Sequence, residues 1–298
     1  MQKGLVVSCL LLLWVSFSCK TSDSVSMVDG GHQTDNYPAV IEIFPVSFSY
    51  YEADIQSCTA IVLSDRTILT ASHCLYGDAV MANIPSKDGS LPQSIETKKN
   101  PEAGILEHLY YPYDIGLAFF PEGTFGEEYL TKKMKFVSYH PKNNDTVRLV
   151  GYGFYDEGIK SLGISKYDSS KSHVKRVAWN KLSDRNACSK GMLEIYRGDV
   201  KNSKGVEKDP ENYYRGTLTG GDSGGPLIRD ASYDIIGVAS YAGTKLIGSI
   251  ISYSCYAPIN LDKNLEFLKN TLREKDPQVE LMLEGVTPLS VDDFVFSK

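Results

Sequence analysis

From Tyr37 onward the apolar residues come in short runs, not at helical spacing. Ala39–Phe44, Thr59–Leu63, Thr67–Thr70, Ile115–Phe120, Thr146–Val150 and Ile235–Ser240 are rich in β-branched and aromatic side chains. Runs of that length and composition predict strands. Turn chemistry lies between them, as in Asp65-Arg66, Lys87-Asp88-Gly89 and Lys142-Asn143-Asn144-Asp145. Many short strands at close spacing predict an all-β sandwich or barrel. Helical signals are few. Leu182–Cys188 reads as a short helix. Asn260 followed by Leu261, Leu265, Leu268 and Leu272 predicts an amphipathic helix with an Asn cap. Asp156–Lys175 and Lys190–Asn212 are rich in Gly, Ser, Lys and Asp and read as exposed loops, either tolerated insertions or a rim that shapes access to a site. After Pro277 the tail has no clear period, and its Val291–Phe296 ending has the composition of an added edge strand.

The first residues read as an address. Lys3 precedes an apolar run, Leu5–Phe17, of signal-peptide length. An exported chain can oxidise its cysteines. Ser16-Phe17-Ser18-Cys19 loosely resembles a bacterial lipobox, in which Cys19 would be lipidated; the other reading is ordinary cleavage near Ser18 or Cys19. Of the six cysteines, Cys9 leaves with the signal. An odd set remains, and lipidation of Cys19 would make it even. The expected location is exported: secreted, periplasmic or lipid-anchored to an outer membrane, with the lipid as the only membrane contact.

Composition narrows the function classes. A net charge of −6 and a pI near 5.5 argue against a protein that holds nucleic acid by counterion release. A 23% charged, 42% apolar chain of 298 residues is not a disordered one and has material for one or two domains. After the N-terminus no apolar run approaches the roughly 20 residues a membrane helix needs.

The most informative segment is Gly220-Gly221-Asp222-Ser223-Gly224-Gly225-Pro226. Glycines around a serine permit a tight turn that aims amides into one concavity, where they can stabilise an oxyanion. A nucleophile elbow of the G-x-S-x-G kind would need its histidine after the serine. His32, His73, His108, His140 and His173 all precede Ser223, so a base must come from upstream. Neither H-E-x-x-H nor paired C-x-x-C is present, so no metal is implied.

Three motifs then fall in the order His, Asp, Ser. Thr70-Ala71-Ser72-His73-Cys74, Asp114-Ile115-Gly116-Leu117 and Gly221–Pro226 together resemble the T-A-A-H-C, D-I-A-L and G-D-S-G-G-P motifs of the chymotrypsin/trypsin family of serine proteases. Gly151-Tyr152-Gly153, Gly237–Tyr241 and Tyr256–Ile259 resemble further family segments. The resemblance spans roughly Val28 to Lys269, and with the lipobox-like start it suggests a bacterial member. It implies an all-β fold of two six-stranded antiparallel barrels with a C-terminal helix. The expected organisation is a signal over 1–19, a tether or propeptide over 20–27, a peptidase domain over 28–275 (barrels 28–140 and 141–260, helix 261–275), and a tail over 276–298.

The resemblance also implies roles. Ser223 is the nucleophile, His73 the base and Asp114 its partner, supported by Ser240. The amides of Gly221 and Ser223 form the oxyanion hole. The strand carrying Ser240 and Tyr241 pairs with substrate backbone. The substrate is a protein or peptide, no cofactor is needed, and the expected state is a monomer. Cys58 pairs with Cys74. Cys188 lacks its usual family partner, which leaves Cys255. Thr217 stands at the pocket base with Ala242 and Ser254 at its walls, so the expected cleavage follows small or medium uncharged residues. Asp222 would pair with a new N-terminus near Met27-Val28-Asp29-Gly30-Gly31, but Ser26 offers no basic target to a trypsin-like activator. A latent or inactive protease-like binding module is the alternative reading.

Overall fold

The apolar runs pair into two curled antiparallel sheets. They are described by a computed structural model over residues 32–48, 53–55, 57–85, 89–104, 111–130, 134–153, 173–184, 186–197, 216–229, 232–246 and 250–294. The strands are β1 (His32–Gln33), β2 (Val40–Phe48), β3 (Ala53–Ile55), β4 (Cys58–Val62), β5 (Thr67–Thr70), β6 (Ala79–Ala82), β7 (Glu96–Lys99), β8 (Gly116–Phe119), β9 (Lys135–Phe136), β10 (Thr146–Gly151), β11 (Arg176–Ser183), β12 (Leu193–Arg197), β13 (Pro226–Arg229), β14 (Asp234–Leu246) and β15 (Ile250–Pro258).

The first sheet runs β3-β2-β4-β5-β8-β7, with β6 also on β2. A bridge between Met81 and Gln93 draws β6 towards the segment entering β7, which curls the sheet around Ile43, Ile61, Ile68 and Leu117. The second sheet runs β11-β10-β13-β14-β15-β12 and closes through β11–β12. It wraps Leu149, Leu193, Ile195, Leu227, Ile236 and Tyr256. The fold is therefore the expected all-β pair of curled antiparallel sheets with a C-terminal helix, the second closed as a barrel and the first a half-barrel. β3 on the first sheet, with β1 and β9 on the second, are additions to the six-strand sets. β1 precedes the first barrel in sequence but pairs with β11 of the second.

Helix α1 is a single turn, Glu127–Leu130; α2 is Asp262–Lys275, and α3 is Pro277–Glu280. Leu265, Leu268 and Leu272 of α2 lie in one buried cluster with Ile68 and Leu69 of the first barrel and Val238 and Ala257 of the second. Spacing of three to four residues puts these leucines on one face, and that face is buried between the barrels.

Four local expectations are corrected. Leu182–Cys188 is not a helix: β11 continues to Ser183, and the amides of Ala187 and Cys188 donate to the Glu194 carboxylate at 2.6 and 3.0 Å instead of to helical carbonyls. Asn260 does not cap α2. Leu261 holds the cap position, while the Asn260 amide donates to the carbonyls of Tyr139 and Thr287. The Lys190–Asn212 stretch contains β12, whose buried Leu193 and Ile195 were hidden by polar neighbours. Val291–Phe294 forms a 3-10 turn, not an edge strand, because Ser290 donates twice to Asp293 and closes it. The signal, Cys19, the tether, the Val28 start, residues 156–172 and 198–212 of the two loops, and residues 295–298 lie outside the described residues.

Candidate active site

His73 occupies a 3-10 turn, Ser72–Leu75, directly after β5. Ser72 pins that turn by donating to the Ile115 carbonyl at 2.7 Å. Asp114 follows a second 3-10 turn, Tyr111–Tyr113, and leads into β8. Because β5 and β8 are neighbours, with Thr70 opposite Gly116, the two turns emerge side by side.

The Asp114 carboxylate is fully buried. A buried carboxylate is costly unless it is hydrogen-bonded, and this one has three donors. The His73 backbone amide donates to Oδ1 at 3.0 Å. His73 Nδ1 lies 2.7 Å from Oδ2. Ser240, reaching across from β14 of the other barrel, donates to Oδ2 at 2.6 Å. Burial and then the Asp114 charge hold the nearby Tyr76 phenol above its ordinary value.

Ser223 of the second barrel sits against the Cys58–Cys74 disulfide of the first. Its carbonyl accepts the Thr59 amide at 2.7 Å and lies 3.6 Å from Cys74 Sγ. A nitrogen of the His73 ring is within 4.8 Å of both sulfurs. The cluster of His73 with these cysteines is no metal centre, because the disulfide consumes both thiolates. Gly221 and Gly224 take φ of 95° and 87°, a region that disfavours other residues. At Gly224 a Cβ would also stand 2.0 Å from Thr70 Oγ1 and 2.1 Å from the Thr59 carbonyl, so the turn packs directly on β4 and β5.

Asp222 is fully buried. Its carboxylate accepts the Gly153 amide at 2.8 Å and the Thr219 amide at 3.0 Å. Burial, with the Asp222 charge added, drives the phenol of Tyr256 upward. Tyr256 Oη and Glu194 Oε1 are the buried side-chain oxygens without a hydrogen-bond partner among the described residues.

The expected pocket residues are spread over three elements. Thr217 is buried in the segment before the Ser223 turn. Ser254 of β15 is fully buried, and its hydroxyl accepts the Leu218 amide at 2.8 Å. Ala242 pairs with Ser254 across β14–β15 and is exposed. Tyr241 lies with its ring centroid 4.3 Å from that of Tyr111, and its hydroxyl accepts the Ser189 amide at 3.0 Å. Cys188 and Cys255 form the second disulfide.

Two supporting residues escaped the sequence reading. Thr59 Oγ1 donates to the Gly221 carbonyl at 2.9 Å and accepts the Tyr152 amide at 3.0 Å, joining the first barrel to the serine turn. Asn264 of α2 donates to the carbonyls of Pro112 and Pro258 at 2.8 and 2.7 Å, which steadies the turn before Asp114. A polar residue on the buried face of a leucine-patterned helix was the one available signal for Asn264. For Thr59 there was none, since threonine is an ordinary strand residue.

Among the described residues no helix is long and apolar enough to cross a membrane. Two disulfides suit an oxidising compartment. The chain is 24% identical to trypsin iota of Drosophila melanogaster over 244 residues, covering 80% of this chain and 86% of that protein. In fold it is similar to an inactivated protease paralogue of the scabies mite, with a TM-score of 0.56 at 17% identity, over 83% of this chain and all of that one. It is similar also to neuropsin, a serine protease of mouse brain, with a TM-score of 0.53 at 17% identity, over 81% and 98% of the two chains. The model of the trypsin family matches residues 33–263. With its two barrels and its His, Asp and Ser motifs, the chain belongs to the trypsin family of serine proteases.

Proposed function

We propose that the protein is an exported serine endopeptidase acting through His73, Asp114 and Ser223. The observation that carries this reading is the Asp114 carboxylate, buried and holding His73 Nδ1 at 2.7 Å. With Asp114 ionised, Nδ1 keeps its proton and Nε2 is left as the basic nitrogen. Nε2 takes the proton of Ser223 Oγ as that oxygen attacks the scissile carbonyl. The resulting oxyanion is met by the amides of Gly221 and Ser223. The imidazolium returns its proton to the leaving amine, an acyl-enzyme remains, and water then repeats the sequence to release the acid and restore Ser223. Asp114 and Ser240 stabilise the imidazolium throughout.

The favoured residue before the scissile bond is small or medium and uncharged. Thr217 carries no charge to hold Arg or Lys. The Ser254 side chain, fixed to the Leu218 amide, occupies space that a glycine would leave open. Ala242 narrows the mouth.

The test is labelling of the exported, processed protein by a fluorophosphonate, beside Ser223→Ala, with the N-terminal residue read on the same sample. Expected are Ser223-dependent labelling and, in a peptide library, low preference for Lys or Arg. A folded protein that labels only after cleavage near Met27 is a zymogen. One that never labels is a binding module, and the peptidase reading fails.

A further inference from the structure

The described chain continues past the matched family region, which stops at residue 263. After α2 it turns at Asp276, and Val279, Leu283, Val286 and Leu289 are buried as it crosses the molecule. Leu289 pairs in parallel with Leu261: its amide donates to the Asn260 carbonyl, and its carbonyl accepts the Asp262 amide, both at 2.8 Å. Thr287 donates its amide to Ser138 Oγ at 2.7 Å. The following turn, Val291–Phe294, lies against the turn made by residues 186–192. Val291 Cγ1 is 3.1 Å from the point where a Cβ on Gly191 would stand. Asp292 pairs with Lys190.

The 186–192 turn in turn holds Tyr241. The Ser189 amide donates to Tyr241 Oη at 3.0 Å. Cys188 is bonded to Cys255, which lies opposite Tyr241 across β14–β15. Tyr241 packs on Tyr111 at 4.3 Å between centroids, and the Tyr111 carbonyl accepts the Asp114 amide at 3.1 Å. Contacts thus run from the tail to the wall beside Asp114.

We infer that Val291 is a positioning residue: through Ser189 it fixes Tyr241 for binding the apolar side chains of an extended peptide upstream of the scissile bond. The inference rests on the peptidase reading above. At its far end the Tyr241 phenol meets both the amide and the hydroxyl of Ser189, at 3.0 and 3.5 Å, so its orientation follows the position of Ser189. The turn that supplies the amide is short and has a left-handed glycine at its base. The tail gives it an apolar neighbour packed on the second barrel's core. The ion pair at Lys190 and Asp292 is exposed on both sides, and such pairs contribute little. Val291 therefore matters more than Asp292.

The experiment compares the full chain with a truncation after Leu289 and with Val291→Ala, Val291→Ile, Asp292→Ala and Tyr241→Phe. Leu289 is kept so that the buried stem stays anchored. Two substrates are used: a long peptide with an apolar residue upstream, and a small activated ester that reaches only the pocket and triad. Truncation is expected to raise KM for the long peptide about five- to tenfold, the scale of one lost apolar contact, while the ester rate stays within about twofold. Val291→Ala follows truncation, Val291→Ile restores binding, and Asp292→Ala changes little. In a Tyr241→Phe background truncation adds less than about twofold, since the coupled contact is already gone. Hydrogen exchange gives a readout independent of catalysis: the Ser189 amide should lose protection on truncation. Unchanged protection at Ser189, or an equal loss on both substrates, overturns the inference. Absence of fluorophosphonate labelling in the full chain defeats the peptidase reading instead, and Ser189 protection then decides by itself whether the tail fixes the 186–192 turn.

Discussion

Asp114 is satisfied by groups from three places: its histidine, that histidine's own backbone, and Ser240 on the other barrel. Removing the charge and removing a donor should therefore differ in size. Asp114→Asn is expected to lower kcat by about 10⁴-fold, because the amide favours the wrong imidazole tautomer. Ser240→Ala leaves the charge and should cost on the order of tenfold, the scale of one hydrogen bond to an ionised group. Single-turnover ester hydrolysis checks both. Lys175 offers a test of stability away from the chemistry. Its ammonium donates to the Tyr37 carbonyl at 2.8 Å, and burial lowers its pKa to about 8. The unfolded chain, with an ordinary lysine pKa near 10.4, holds more protons between those values. Stability from this group is thus poorest below pH 8 and rises with pH from about 8 to 10. Lys175→Met should stabilise at pH 7 by on the order of 1 kcal/mol and lose that advantage by pH 10, as read by urea midpoints.

At the scale of elements, the junction of α2 with the first barrel is a concentrated polar contact. Asp276 is buried at the helix C-terminus, and its Oδ2 accepts the hydroxyls of Ser64 and Thr67, each at 2.6 Å. Arg66 donates to the Lys275 carbonyl at 2.7 Å, satisfying one of the carbonyls a helix end leaves open. Asp276→Ala would strand both hydroxyls and should destabilise by about 2–4 kcal/mol. Asp276→Asn, which keeps an acceptor, should recover part of that loss, with thermal scans of both variants as the check. The elements also show where periodicity reading works. Val147 and Leu149 of β10 are fully buried, and that alternation was visible in the sequence. β12 was not, since its buried Glu194 interrupts the apolar pattern between Leu193 and Ile195. Glu194 stays inside because the Ala187 and Cys188 amides of the turn just before it hold its carboxylate, a contact that side-chain periodicity does not show.

For the whole molecule, the candidate site is a seam. His73 and Asp114 come from the first barrel, Ser223 and Ser240 from the second; Thr59 ties the first barrel to the serine turn, and the first disulfide braces the histidine turn within the first barrel. The second disulfide acts within the second barrel alone, fixing the 186–192 turn to β15. Replacing Cys188 and Cys255 together by Ser should lower stability by about 2–4 kcal/mol, seen as a lower Tm, and leave labelling of Ser223 by a fluorophosphonate intact. By itself the sequence determined the strand-rich class, the three motifs and their order, and the α2 leucine face, because these rest on side-chain periodicity and on residue types needed at fixed local spacing. It carried the cysteine pairing only as an implication of resemblance. The tertiary structure decided which donors meet Asp114, that Gly153 meets Asp222, that Asn260 bridges two carbonyls instead of capping a helix, and that the tail closes on the 186–192 turn. Each of those depends on groups far apart in sequence and joined only by the closure of the barrels, where a polar residue's role is set by what surrounds it and not by its neighbours along the chain.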